Sequence, residues 1–278
     1  MRQNEVFKYY RKDVENLTLR YEYIKSLIEP STVDELCAKR GYVDKNQTSL
    51  MHELNIGRCC INDIEELGDI KISKNLGMIT DKDRFLLDNR YIIPVEDIAG
   101  NLVSLIGYYP DIRKYITLPT QFFSKEVMFF NFHQAYELSW SKFHGLVIVV
   151  EGIFDCLSLR SIGLPAMATM GADVSKTKGE LLKLFGKVLG IPDDDKVGRK
   201  SLNRHTKTGW QVPDNTTMIK LIGGEFVVNP DDDEDLHIIE HIKDMDNVVS
   251  WFEADDIIDM MLELAKSQEE VEVLDLRG

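Results

Sequence analysis

No stretch of this 278-residue chain stays apolar for long, and none approaches the roughly 20 consecutive apolar residues that a membrane helix requires. The opening residues MRQNEVFKYYRKD contain no apolar signal core, so the chain reads as cytoplasmic. Cysteine is scarce: Cys37, Cys59, Cys60 and Cys156 are the whole set, and no C-x-x-C pair occurs among them. Adjacent Cys59 and Cys60 with nearby His52 make a poor zinc set, so free thiols and no structural zinc are expected. Internal repeats are lacking as well. Acids outnumber basic residues toward the end of the sequence: residues 229–278 hold 17 Asp and Glu against 3 Lys and Arg, which accounts for the whole net charge of −14. Residues 1–228 are left with 30 of each sign. An acidic end on a neutral body leaves room for a local basic face, so the overall acidity is weak evidence against a nucleic-acid partner.

What is present divides along the chain. Residues 5–28 mix apolar and charged side chains at helical spacing, Pro30 follows, and Thr32-Val33-Asp34-Glu35 reads as a capping box opening a second helix. Short helices are expected through Cys59 to Leu67, making residues 1–75 a helical region. Residues 76–143 form a second part. Within it Tyr91–Val95 and Leu102–Tyr109 are strands joined by a turn at Gly100-Asn101, and a short helix lies near 134–138. From 144 to 250 the pattern alternates strand and helix, with strands at 146–150, 166–168, 187–191, 217–221 and 237–242. Helices fall at 153–162 and 175–185, and a basic helix opens at Val197. Such alternation implies an α/β fold with a mostly parallel sheet and helices on its faces. The last part, 251–278, is an amphipathic helix at 253–266, whose Glu253, Asp255 and Asp256 suit its first turn, followed by a frayed acidic tail.

The chemistry gathers at strand ends. Leu146–Val150 stops at Glu151-Gly152, with Asp155 one helical turn on, and Leu189–Pro192 runs into Asp193-Asp194-Asp195. A third group, Asp244 and Asp246, follows the strand at 237–242. Ligands bind at the carboxyl ends of strands in open α/β sheets, and carboxylates crowded there are costly without a cation among them. Hard oxygen donors favour Mg²⁺ or Mn²⁺, which points to metal-dependent phosphate chemistry. Lys196, Arg199, Lys200, Arg204 and Lys207 then follow with no acid between them, either as phosphate contacts or as a solvated helix face. Gly171, between a strand and a helix, either admits backbone close to the metal or simply turns the chain.

These motifs in this order resemble the TOPRIM domain, and most closely the catalytic core of bacterial and phage DnaG-type primases. The likeness rests on Val149-Val150-Glu151-Gly152-Ile153-Phe154-Asp155, Met170-Gly171, Asp193-x-Asp195-x-x-Gly198-Arg199 and Lys243-Asp244-x-Asp246. It extends upstream through Gly77-Met78, Arg90-Tyr91-Ile92-Ile93-Pro94-Val95, Arg113-Lys114-Tyr115 and Phe123-Ser124-Lys125. The resemblance implies a TOPRIM-type sheet with flanking helices, preceded by a helical and β-hairpin subdomain. It implies metal-site acids at Glu151, Asp155, Asp193, Asp195, Asp244 and Asp246, with Glu151, Asp193 and Asp195 catalytic. Whether Glu151 is a ligand or the general acid/base stays open. Arg90, Lys114 and Lys125 match residues that contact template or nucleotide phosphates, and Lys196, Arg199 and Lys200 join them. The family usually carries Gly-Arg where this chain has Tyr108-Tyr109, so one phosphate contact is absent and the tyrosines either stack on a base or pack inside.

The implied function is metal-dependent synthesis of short RNA primers on single-stranded DNA, from ribonucleoside triphosphates and Mg²⁺ or Mn²⁺. Neither a zinc ribbon nor a helicase part is recognised in the chain. A replicative helicase and a separate zinc-ribbon protein are therefore expected partners, unless this is a pared-down phage or mobile-element form working in a host cytoplasm. Two other readings stay open. A TOPRIM nuclease would use similar acids to cut DNA, and a degenerate primase-like protein would bind nucleic acid or a helicase without catalysis.

Overall fold

The computed structural model describes residues 3–42, 45–119, 123–196, 198, 202, 210–222, 226–228, 237–239, 244–267 and 271–276. They fall into two compact units, Met1–Ser124 and Lys125–Gly278.

In the first unit, α1 (Gln3–Ser26), α2 (Pro30–Arg40) and α3 (Lys45–Glu53) precede a four-stranded antiparallel sheet in the order β1 (Arg58–Cys59), β2 (Arg90–Glu96), β3 (Leu102–Tyr109), β4 (Lys114–Thr117). Leu17, Tyr21 and Ile24 share one face of α1 at helical spacing. They are buried in a cluster with Met78, Leu87, Ile92, Leu105 and Leu118. The β2–β3 hairpin forms where the sequence predicts it. The Asp97 carboxylate accepts the backbone N–H groups of Ala99 and Asn101, both at 2.9 Å, and Gly100 takes the positive φ of 81° that the turn demands.

Two expectations here are corrected. The second helix opens at Pro30, not at Thr32, because proline's fixed φ suits the first helical position and its missing N–H has no partner to lose there. Thr32 is buried inside the helix, donating to the Glu29 carbonyl at 2.6 Å and accepting the Arg58 N–H at 2.8 Å. The helical run expected up to Leu67 is broken by β1, after which come a short 3₁₀ turn (Ile64–Leu67) and α4 (Ile70–Asn75).

The second unit opens with α5 (Phe132–Lys142), longer than the helix expected near 134–138. Then β5 (Leu146–Val150), α6 (Ile153–Ser161), β6 (Ala166–Ala168), α7 (Lys176–Leu182), β7 (Lys187–Ile191) and β8 (Thr216–Ile222) follow in the alternation read from the sequence. Every residue of β5 is buried, as a central parallel strand covered on both faces must be. Val147 and Val149 on one face pack with Phe132 and Ala135 of α5 and Leu182 of α7, while Leu146, Ile148 and Val150 point to the other face.

The sheet's edge departs from expectation. The described part of the strand expected at 237–242 does not join the parallel sheet. Residues His237–Ile239 (β10) pair antiparallel with Phe226–Val228 (β9) in a separate two-stranded ribbon. The fifth strand is instead β11 (Val271–Asp275), lying parallel to β8 in the segment read as frayed tail. The order is β11-β8-β7-β5-β6, and all its pairings are parallel. Two helices, α8 (Met245–Trp251) and α9 (Ala254–Lys266), lead into that edge strand, and α8 packs against α6.

Candidate metal centre

Central strands β5 and β7 are neighbours in register, Val150 opposite Ile191, so the residues that follow them emerge side by side at the sheet's carboxyl edge. Glu151 leaves β5, Asp193 and Asp195 leave β7, Asp155 sits in the first turn of α6, and Asp244 caps α8 by accepting the Asn247 N–H at 3.0 Å. The third acid group therefore arrives on a helix start and not at the end of a third strand of the sheet.

Glycines make this approach possible. A Cβ on residue 152 would lie 2.1 Å from Asp155 Oδ2, and one on residue 198 would lie 2.0 Å from the Asp193 carbonyl oxygen. At 198 the neighbour is backbone and no side chain fits, while at 152 a side chain would force the Asp155 carboxylate out of its place in the group. The Gly198 N–H donates to Asp195 Oδ1 at 2.7 Å and the Asp195 N–H to the Asp193 carbonyl at 2.8 Å, holding the second acidic loop in a tight turn.

The electrostatics are those of acids crowded together and withdrawn from water. Burial, then the charges of Asp193 and Asp195, push the Glu151 carboxyl from 4.5 up to about 8, against a hydrogen bond from the Asp193 backbone. Asp193 rises to about 7 through burial and the charges of Asp244 and Asp195. Asp155, inside the protein, is held well above the carboxylate range by burial and by Asp244, Asp193 and Asp246. Oε1 of Glu151 is buried with no hydrogen-bond partner among the described residues, a condition that costs about 1–3 kcal/mol unless something fills it. Among the described residues no three acids already stand in a closed ligand cage. Mg²⁺ is compatible with that spacing because it keeps several of its waters.

Asp246 differs from the others. It is 4 % exposed; its carboxylate accepts the Ser158 hydroxyl, and its backbone N–H donates to Asp155 Oδ1 at 2.9 Å. That network ties α8 to α6 and aims Asp155, so Asp246 works as a brace within the acid group. Ser158 is the residue that sequence reading overlooks. Its only local signal is a hydroxyl in the apolar stretch Cys156–Leu159.

The predicted basic residues are distributed as follows. Lys196 is exposed beside Asp195, and Lys125 is exposed in the second unit. Arg199 and Lys200, with the rest of the basic helix expected from Val197, lie outside the described residues, apart from Gly198 and Leu202. In the first unit Lys114 is exposed at the start of β4. Arg90 lies 5.8 Å from the Tyr109 ring centroid, and its Nε and Nη1 are buried with no hydrogen-bond partner among the described residues. Of the two tyrosines, Tyr108 is 2 % exposed and packs on Tyr115 with ring centroids 4.8 Å apart. Core packing is therefore the correct reading for Tyr108.

Known proteins resemble this chain in sequence and in fold. A protein-family profile described as Toprim-like matches residues 148–221. A DNA primase of Thermotoga maritima is 31% identical over 203 residues, covering 70% of this chain and 34% of that protein. One from Aquifex aeolicus is 33% identical over 127 residues, covering 44% of this chain and 25% of that protein. The chain thus spans about a third of the length of the first of these relatives, and less of the other. Among solved structures, a DnaG catalytic core aligns with a TM-score of 0.61 at 22% identity, over 89% of this chain and 78% of that one. A DnaG primase catalytic domain bound to single-stranded DNA aligns with a TM-score of 0.63 at 19% identity, over 92% and 80%.

Proposed function

The chain belongs with the TOPRIM catalytic cores of DnaG-type primases, and from that premise we propose that it catalyses metal-dependent synthesis of short RNA primers on single-stranded DNA. The observation that carries this reading is the crowding of Glu151, Asp193 and Asp195 at the ends of adjacent strands, with an orphaned buried oxygen on Glu151. Such a group is unfavourable by itself and is relieved by a divalent cation. Glu151, Asp193 and Asp195 would hold Mg²⁺ or Mn²⁺, with Asp155 and Asp244 adjoining. When bound, the metal lowers the pKa of the attacking 3′-hydroxyl and neutralises charge on the triphosphate.

The chain's own residues do the rest. Glu151, with a proton affinity near neutrality, is suited to taking or returning a proton at its carboxylate. Asp246, held by Ser158, keeps Asp155 aimed at the group. Lys125 and Lys196 supply point charges for phosphates of nucleotide or template. In the first unit Arg90 offers a half-buried guanidinium cation for a phosphate of nucleotide or template. Lys114, exposed on the same sheet, adds a second cation. Arg199 and Lys200 are proposed to extend the basic set. We further propose a replicative helicase and a zinc-ribbon protein as partners, and a cytoplasmic setting; among the described residues no helix is long and apolar enough to cross a membrane.

The test is incubation with single-stranded DNA, labelled ribonucleotides and Mg²⁺ or Mn²⁺, beside an Asp193→Ala/Asp195→Ala control. Short RNA products lost in the control support priming. Shortened DNA would mark a nuclease, and neither product, even with a helicase and a zinc-ribbon protein added, would overturn both enzymatic readings.

A further inference from the structure

Lys178 takes no part in the proposed chemistry and stands where a lysine is least at home. It is 1 % exposed and sits in the first turn of α7, at the positive end of a helix. Lysines are almost never buried so completely without a partner. Its backbone is fixed by Ser175, whose hydroxyl accepts the Lys178 N–H at 3.2 Å and donates to the Glu126 carbonyl at 2.6 Å. Its side-chain nitrogen lies 5.2 Å from the centroid of the Phe129 ring and donates to the Thr169 carbonyl. Burial, then the charge of Lys125, lower its pKa to about 8, and in either protonation state the nitrogen keeps an N–H for that bond.

That carbonyl is one side of the peptide plane joining Thr169 to Met170. The other side is the Met170 N–H, which donates to the Glu151 carbonyl at 3.1 Å. A peptide plane is rigid, so a donor that holds its oxygen also aims its N–H. This plane needs holding. Met170 stands at a φ of 59°, in the left-handed region that residues other than glycine rarely adopt, and such a residue persists only where its surroundings fix it. Gly171 does not supply the restraint, because a Cβ built on it meets nothing within 4 Å. Farther along, the Trp210 indole N–H donates to the Ala172 carbonyl at 3.1 Å and the Gln211 N–H to the Val174 carbonyl at 3.0 Å. Those bonds hold the far end of the loop, and Lys178 holds the near one. A cavity of about 400 Å³ lined by Thr169 and Lys178 gives a released carbonyl room to turn toward water.

We propose that Lys178 is a positioning residue for the carboxylate group. By holding the oxygen of the Thr169–Met170 peptide it keeps the N–H of the same plane on the Glu151 carbonyl, and so fixes the backbone that carries the Glu151 carboxylate. Without that donor the plane turns over, its oxygen meets water in the cavity, Met170 leaves the left-handed region and Glu151 loses its anchor. The proposal rests on the metal-centre reading only for what Glu151 does.

The experiment compares the full chain as wild type, Lys178→Met, Met170→Gly and the double variant. Methionine keeps the length of the side chain and its burial but has no donor, and glycine accepts a positive φ freely, which removes the drive to turn over. Two quantities are read: amide hydrogen exchange at Met170 in the metal-free protein, and Mn²⁺ affinity by calorimetry. Lys178→Met should speed exchange at Met170 by about tenfold or more while the Ile148 amide in β5 keeps its rate. It should weaken Mn²⁺ binding about tenfold, the lower end of the loss seen when a group that orients a metal ligand is removed. In the Met170→Gly background the same change should cost less than about threefold, since the left-handed strain is already gone. Unchanged exchange at Met170, unchanged Mn²⁺ affinity, or an equal loss in both backgrounds overturns the proposal. Should Lys178→Met fail to fold, Lys178→Arg decides: it restores a donor, so slow exchange at Met170 supports the proposal and fast exchange with an intact β5 overturns it. Wild type that binds no Mn²⁺ removes the metal-centre reading, and exchange at Met170 then decides the role of Lys178 by itself.

Discussion

Glu151→Gln should make the metal-free protein more stable and the metal-loaded protein less so. Folded Glu151 keeps its proton up to about pH 8, whereas in the unfolded chain it loses it near 4.5. Across that window the folded state holds more protons, so this group's contribution to stability falls as pH rises. At about 1.36 kcal/mol per pH unit the penalty at pH 8.5 has a ceiling of about 5 kcal/mol, against about 1.4 kcal/mol at pH 5.5. Water reaching the rim of the site and adjustment of the neighbouring acids reduce the recoverable part to about 1.5–2.5 kcal/mol at the higher pH. For a domain of this size that is about 3–10 °C in Tm. The assay is thermal unfolding of wild type and Glu151→Gln in EDTA at pH 5.5 and 8.5, repeated with Mg²⁺. In EDTA the variant should melt higher at pH 8.5, and the gain should shrink at least twofold at pH 5.5. Added Mg²⁺ should raise wild type by mass action and the variant by much less. A variant that melts below wild type in EDTA at pH 8.5, or shows the same gain at both pH values, refutes the reasoning.

Two further expectations bear on other links. Ser158→Ala strips a donor from the buried Asp246 carboxylate, so it should lose about 1–3 kcal/mol in urea unfolding, and a change under about 0.5 kcal/mol would mean that the brace between α6 and α8 has been misread. Arg90→Ala should weaken binding to single-stranded DNA and lower the slope of log affinity against log salt by about 0.7, the share of one phosphate contact on a single strand; an unchanged slope would place Arg90 away from the backbone.

Which parts of this protein can be read from its sequence follows from how far apart the responsible residues lie. Strand β5 and the Glu-Gly that ends it are legible because five consecutive apolar residues and an abrupt acid form a local signal, and the β2–β3 hairpin is legible for the same reason. Acid convergence at β5 and β7 also follows from local pattern once the strands are placed in a parallel sheet. The sheet's edge is not legible. Residues 237–242 and 271–275 are both short apolar runs among acids, and only pairing decides which one lies beside β8; nothing within either run states that the later one does. The division of labour among the acids is hidden for a similar reason. Asp244 and Asp246 look alike in sequence, and only Ser158, on a helix far back in the chain, makes one a cap near the site and the other a brace. Lys178 reads as an ordinary surface lysine because its burial comes from Phe129 and from the loop that covers it.

The bonds that aim Asp155 join residues 88 and 91 positions apart. Closing so large a loop brings its reward only after the intervening sheet has condensed, and the last step gathers like charges instead of separating them. The site is therefore expected to assemble late in folding. Divalent ions are expected to leave the early refolding phases of the second unit at their metal-free rates and to act only on the final one, where a stopped-flow record with and without EDTA would detect the difference. A metal-induced change in the earliest phase would place the assembly of these acids at the start of folding instead.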